Sequence, residues 1–164
     1  TGLMIPSGFE FGFKKRVNVV KTRPDDWETP TYDLSTYIAQ VNRMKTNCPV
    51  LLKEGPMQRI NPPGKEPVVF LVKSREKRKG RVLVVINTTQ EEQQVELADL
   101  GDMLGEPAAA WEDLTPDMIP LKLTPSLSFS LTPLRLRLFY NPQGEPLVVE
   151  MPELEEDDSD STEG

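Results

Sequence analysis

Any chemistry in this sequence must come from carboxylates, cations, hydroxyls, aromatic rings and one thiol, because its 164 residues include no histidine. That removes Ser-His-Asp and Cys-His nucleophilic catalysis, and the His-Glu-x-x-His metal motif, from the chain itself. The single cysteine, Cys48, excludes an internal disulfide and a Cys-x-x-Cys zinc site. It precedes Pro49 with no base beside it and reads as a small buried apolar side chain. Glu10, two residues after Gly8, can accept hydrogen bonds from ligand hydroxyls or orient a catalytic group; it reads equally as a structural acid paired with an arginine. Phe9, Phe11 and Phe13 alternate as in a strand, forming either one packed face or a stacking platform. Lys14-Lys15-Arg16 and Arg23 can meet an anion by charge-assisted hydrogen bonds or form a solvated loop face. The densest cationic cluster runs from Lys73 to Arg81, with only Glu76 against it. Lying between two apolar runs, including Gly80 and lacking interleaved aromatics, it reads as a hairpin turn and not as a nucleic-acid patch.

These groups need elements to hold them. The formal charge of −7 is uneven: residues 150 to 164 carry eight acids and no base, leaving 18 acids against 19 bases elsewhere. The acidity therefore belongs to a tail, expected to be disordered and solvating, with a basic partner as the alternative. Gly2 to Ser7 is a short apolar run that reads as a strand buried on both faces. An irregular stretch follows from Phe9 to Pro30, long enough to be functional or an insertion. Leu34, Tyr37, Ile38, Val41 and Met44 then form one helical stripe, with Asp33 as the expected N-cap and Asn47 and Pro49 ending it. Beyond Pro49 the period becomes two and no further helix is expected. Runs at Val68–Val72, Val82–Ile86, Gln94–Leu97, Ser126–Leu131 and Leu134–Leu138 predict an all-β antiparallel sandwich. The longest purely apolar runs are five residues, too short for a membrane helix. With neither a start Met nor a signal-peptide layout, the chain reads as soluble, cytoplasmic and cut from a longer one.

The opening segment adds more. TGLMIPSGFEFG resembles the eighth barrel strand of the α-amylase family, with Gly2, Pro6, Gly8 and Glu10 at the positions where a Gly, a Pro and Gly-x-Glu recur. The order that follows is similar too: loop, helix, short linker, β-domain. So are a strand ending Val84-Val-Ile-Asn87 and a late strand introduced by Leu131-Thr-Pro133. Within that family, Ser7-Gly-Phe-Glu10, Arg23-Pro-Asp-Asp-Trp27 and the helix Ile38 to Lys45 resemble the maltosyltransferases that elongate α-1,4-glucan from maltose 1-phosphate. The chain departs from them at Val19-Val20, where they carry a Lys-Tyr pair that contacts the donor, and its loop is shorter.

The resemblance implies a mixed fold. Residues 1–48 would be the last strand and helix of a truncated (β/α)8 barrel, 49–151 a β-sandwich C-terminal domain, and 152–164 a disordered acidic tail. It implies a retaining mechanism in the parent enzyme, in which a carboxylate attacks the anomeric carbon and a second protonates the leaving oxygen. Those carboxylates lie on earlier barrel strands, so no catalytic residue and no metal ligand is assigned here, and no cofactor is implied. The substrate-binding candidates are Phe9, Glu10 and Arg23. The implied partner is an α-glucan or maltose-type sugar bound through the barrel, with no nucleic acid and no membrane; a homo-oligomer is compatible with the sequence. Trp27 is expected to anchor the loop against the barrel rim. The contrasting readings are a non-catalytic β-sandwich that binds glycan or protein, and a structural domain that binds a partner through its acidic tail. Aromatic scarcity in the β region weighs against the glycan version, since Trp111, Phe129, Phe139 and Tyr140 mostly suit a core.

Overall fold

Val82 to Ile86 is apolar without a break, and the reason is that the strand carrying it is packed on both faces. A computed structural model describes residues 7–16, 18, 20–61, 64, 67–97 and 100–147. Among these, the strands are β1 (Met57–Arg59), β2 (Val68–Arg75), β3 (Arg78–Asn87), β4 (Gln93–Leu97), β5 (Glu112–Asp113), β6 (Leu127–Leu131) and β7 (Leu136–Asn141). The helices are α1 (Ser35–Asn47) and α2 (Leu100–Leu104). One sheet has the order β1-β2-β3-β7-β5 and a second pairs β4 with β6; every pairing is antiparallel.

The pleat sends alternate residues of β3 to opposite sides. Leu83 and Val85 join Phe70, Val72 and Phe139 in a core closed by Val95, Phe129 and Leu131 of the smaller sheet. Val82 and Leu138 face the other way, where Cys48 and Val50 cover them with Met44 and Val84 at the margin. Each such side chain taken from water contributes roughly 1.5–3 kcal/mol before entropy is counted. The all-β antiparallel expectation is met. Its boundary at residue 48 runs through this second cluster, because Cys48 and Val50 pack directly on the sheet.

Polar ties fix one sheet to the other and the connecting segments to the larger sheet. The buried Asn87, at the end of β3, donates through Nδ2 to the carbonyls of Glu91, Leu131 and Thr132, and accepts through Oδ1 from the Thr89 N–H and hydroxyl. Asp113 accepts from Arg137 and from the backbone N–H groups of Thr115 and Leu121. Glu106 receives Arg81, Asn141 Nδ2 and the Glu145 N–H, which docks the turn after α2.

Several local expectations need correction. Phe9 to Phe11 is a 3-10 turn and not an alternating strand, because Gly8 in the left-handed region (φ 89°) redirects the chain before it. Gly80 lies inside β3 and is buried, not at the hairpin tip; the tip is Glu76-Lys77. The last strand begins at Leu136, since Leu134 has φ 56° and sits in a turn. The helix α2 falls between two expected strands, where no further helix is expected; at five residues it is too short to show a period. α1 starts one residue later than expected, capped from Asp33, whose Oδ1 accepts the Ser35 N–H at 2.8 Å. The expected strand of residues 2–7 lies outside the described residues except for Ser7, which is in a turn, and the acidic tail lies outside them altogether. No described helix is long and apolar enough to cross a membrane.

Leu134 occupies the third position of a Thr132-Pro-Leu-Arg135 turn, where a left-handed residue is normally glycine. The left-handed strain of about 1–2 kcal/mol exceeds the entropic cost of glycine, about 0.4–1 kcal/mol. Leu134→Gly is therefore expected to stabilise the domain slightly, raising Tm by about 2–5 °C in a thermal melt.

Candidate ligand-binding loop

Gly8 and Gly12 shape the start of the loop. A Cβ on Gly8 would stand 2.5 Å from the Phe13 ring, and one on Gly12 2.7 Å from the Tyr32 ring, so the backbone passes under both aromatics. Phe13 N–H returns to the Gly8 carbonyl at 3.0 Å, and the Glu10 carbonyl accepts the Leu34 N–H at 2.8 Å, joining the 3-10 turn to the start of α1.

The next stretch closes on itself through short polar side chains. Glu28 Oε2 accepts the N–H groups of Lys14 and Lys15, both at 2.7 Å. Asn18 Oδ1 accepts those of Val20 and Lys21, and the Asp26 carboxylate accepts the Arg23 N–H. Phe13 bridges Phe11 and Trp27, with ring centroids 5.7 and 6.3 Å apart. The expected anchoring of Trp27 thus falls on Phe13, with the indole still 57% exposed.

A cavity of about 540 Å³ opens inside this loop, among Phe13, Lys15, Arg16, Lys21, Asp25 and Trp27. Glu28 and Asp26 also border it, but both are engaged by backbone N–H groups. The cations and the indole face remain available, which suits an anionic or polar ligand with one apolar face. None of Phe9, Glu10 and Arg23 borders the cavity. Phe9 is exposed in the 3-10 turn, Glu10 Oε2 accepts its own loop's Gly8 N–H at 3.1 Å, and Arg23 is exposed at the Pro24–Asp26 turn. Lys15, Arg16 and Lys21 were legible as charges; what could have ranked them first is the Glu28 clasp, which spans thirteen residues and leaves no sequence period.

The Glu28 carboxyl is held below its ordinary range, first by the Lys15 N–H bond and then by that of Lys14. A depressed carboxylate contributes stability above its unfolded pKa and loses it as pH falls through the folded value. On acidification below the usual glutamate range, the Lys14 and Lys15 amide resonances are expected to shift together with the Glu28 side chain. Cys48 behaves oppositely: burial raises its thiol pKa. It is expected to resist alkylation until the protein is unfolded, read by mass spectrometry.

No family model matches the chain, and no curated protein matches it. Among solved structures, the chain is similar to AmyP in complex with maltose, at 17% identity over 84% of this chain and 31% of that one, with a TM-score of 0.55. A substituted AmyP in complex with maltotriose matches at 16% identity over the same shares, with a TM-score of 0.51. An Anoxybacillus α-amylase matches at 18% identity over 68% of this chain and 23% of its own; its TM-score of 0.43 adds nothing to the fold argument. At these identities the likeness is one of fold. The chain spans less than a third of the AmyP structure it matches.

Proposed function

We propose that the chain is the C-terminal part of an α-glucan-active enzyme of the α-amylase family, working in the cytoplasm, whose catalytic carboxylates lie outside these 164 residues. The observation that carries this reading is the extent of the AmyP likeness. Residues 49–164 make up about 71% of the chain, so a match over 84% of it also takes in part of residues 1–48. Some of the segment before residue 49 therefore contributes to the likeness together with the β-domain, which supports reading that segment as the edge of a barrel.

In this reading the parent enzyme is retaining. One carboxylate forms a glycosyl-enzyme while a second protonates the leaving oxygen, and an acceptor resolves the intermediate. The loop from Phe13 to Glu28 forms the rim of the donor pocket, where Trp27 meets a sugar face and Lys15, Arg16 and Lys21 meet an anionic leaving group. That charge pattern favours a glycosyl phosphate donor, and so maltosyl transfer to α-1,4-glucan from maltose 1-phosphate.

The test joins these residues to the polypeptide that the reading places before Thr1 and supplies glycogen with maltose 1-phosphate. Phosphate release with glycogen elongation is the expected result. Release of reducing sugar without phosphate would keep the family reading and sink maltosyl transfer. Inactivity on both substrates would sink the reading.

A further inference from the structure

Among the described residues, three non-glycines hold a left-handed backbone, and two of them, Asp117 (φ 59°) and Leu134 (φ 56°), line one groove. They stand at the same position of two similar turns, Thr115-Pro-Asp-Met118 and Thr132-Pro-Leu-Arg135. Pairing of β5 with β7 brings these turns to one edge of the sheet: Leu114 N–H donates to the Leu138 carbonyl at 2.9 Å, and Leu138 N–H donates to Thr115 Oγ1 at 3.0 Å. Opposite them lie Asp33, Tyr37 and Gln40, at and after the start of α1, across a space of about 680 Å³. Leu134 is 62% exposed, so its strained backbone does not serve to bury it. Strain kept at an exposed, partly polar groove marks a place shaped for something other than packing.

We propose that this groove, walled by α1 and the two Thr-Pro turns, binds a neutral linear oligosaccharide; that the sugar is an α-1,4-glucan rests on the reading given under Proposed function. Three features select this chemistry. The exposed Tyr37 ring and the exposed Leu134 and Leu136 side chains offer apolar surface to the C–H faces of sugar rings. Between them, Asp117 and Arg135 present planar groups able to take two neighbouring hydroxyls at once, and Gln40 lines the same groove with its Oε1 buried and without a hydrogen-bond partner. Charge is nearly balanced, with Asp33 and Asp117 against Arg135, so no ionic ligand is drawn in. An extended peptide would need a row of free backbone groups, whereas each turn presents a proline without an N–H, Pro116 and Pro133.

The test is calorimetric titration of the 164-residue chain with maltoheptaose and, separately, cellohexaose. Maltoheptaose is expected to bind, and Tyr37→Ala and Asp117→Gly are each expected to weaken it by about tenfold or more. Tyr37→Trp keeps the stacking surface and should keep the binding. Asp117→Gly separates a ligand role from a structural one: glycine suits the left-handed turn, so Tm should hold or rise while affinity falls. If cellohexaose binds with the same dependence on Tyr37 and maltoheptaose does not, the groove site stands and the α-glucan reading falls. If maltoheptaose binding survives both groove variants but is lost in Trp27→Ala, the groove proposal is overturned and the α-glucan reading stands. Failure of both sugars to bind at millimolar concentration overturns the proposal. So does a self-associated chain that Tyr37→Ala or Asp117→Gly dissociates, since the groove would then be an interface between copies.

Discussion

Asp113→Ala is expected to cost about 3–5 kcal/mol of folding free energy, a large part of the 5–15 kcal/mol typical of a whole domain. The reason is the charge left behind. The Arg137 side chain is 11% exposed and the Asp113 carboxylate is fully buried, so the two neutralise each other inside the sandwich. Removing the carboxylate strands a guanidinium whose remaining neighbours are the Ile119 carbonyl at 3.0 Å and the Phe129 ring at 5.8 Å. It also orphans the N–H groups of Thr115 and Leu121, both of which donate to Asp113. Equilibrium urea unfolding should show the midpoint falling with little change in slope. Adding Arg137→Met to Asp113→Ala should recover part of the loss, because the uncompensated charge goes while the two backbone donors stay unsatisfied. A single-variant cost below about 1 kcal/mol would mean that the pair is solvated like an ordinary surface bridge. The same carboxylate holds the 113–121 segment that forms one wall of the groove, so oligosaccharide affinity should fall together with stability in this variant.

Where burial and period coincide, the fold was legible from the sequence. Val68–Val72 and Val82–Ile86 announced themselves as strands because each is flanked by polar turns and is apolar on both faces; one cluster covers a face of both, and the second covers the other face of β3. α1 was legible from its 3.6-residue stripe, but the stripe did not report burial: no residue of α1 is buried. Periodicity records which face a helix can bury, not whether a partner is present. Leu134 misled for a related reason. Leu134-Arg-Leu-Arg-Leu138 alternates as a strand should, but Pro133 before it favours a turn, and the local turn chemistry prevails over two residues of pattern. The same holds at Phe9, where two left-handed glycines fold an alternating segment into a 3-10 turn. The groove was not legible at all. One wall comes from two turns seventeen residues apart, made neighbours by the β5–β7 pairing, and the other from a helix about eighty residues before the first of them, held to the sheet through Met44, Cys48 and Val50. Asn87 is legible in another sense: it ends a strand motif in the sequence, and its place in the fold explains what it does there.

Asn87→Asp is the companion prediction, and it tests that explanation. The amide Nδ2 of Asn87 stands 2.7, 2.9 and 3.1 Å from the carbonyls of Glu91, Leu131 and Thr132. These contacts tie β3 to β6 and to the loop between β3 and β4. An isosteric carboxylate keeps the shape and the two bonds from Thr89 but turns a donor facing three acceptors into a fourth acceptor. Each unsatisfied buried group costs about 1–3 kcal/mol, and a buried charge more, so a loss of about 3–5 kcal/mol at neutral pH is expected. Its pH dependence identifies the cause. Burial and facing carbonyls favour the protonated acid, which raises the folded pKa of the new carboxyl above its unfolded value of about 3.9. Stability relative to the parent protein is then lowest above the folded pKa. It recovers as pH falls through that value toward about 4, because the folded state takes up the proton first and regains a donor. Urea midpoints for both proteins across that range would show the gap narrowing on acidification. Asn87→Ala removes the donor without adding a charge, so its deficit should not change with pH, and equal pH profiles for the two variants would rule out the buried carboxylate as the cause.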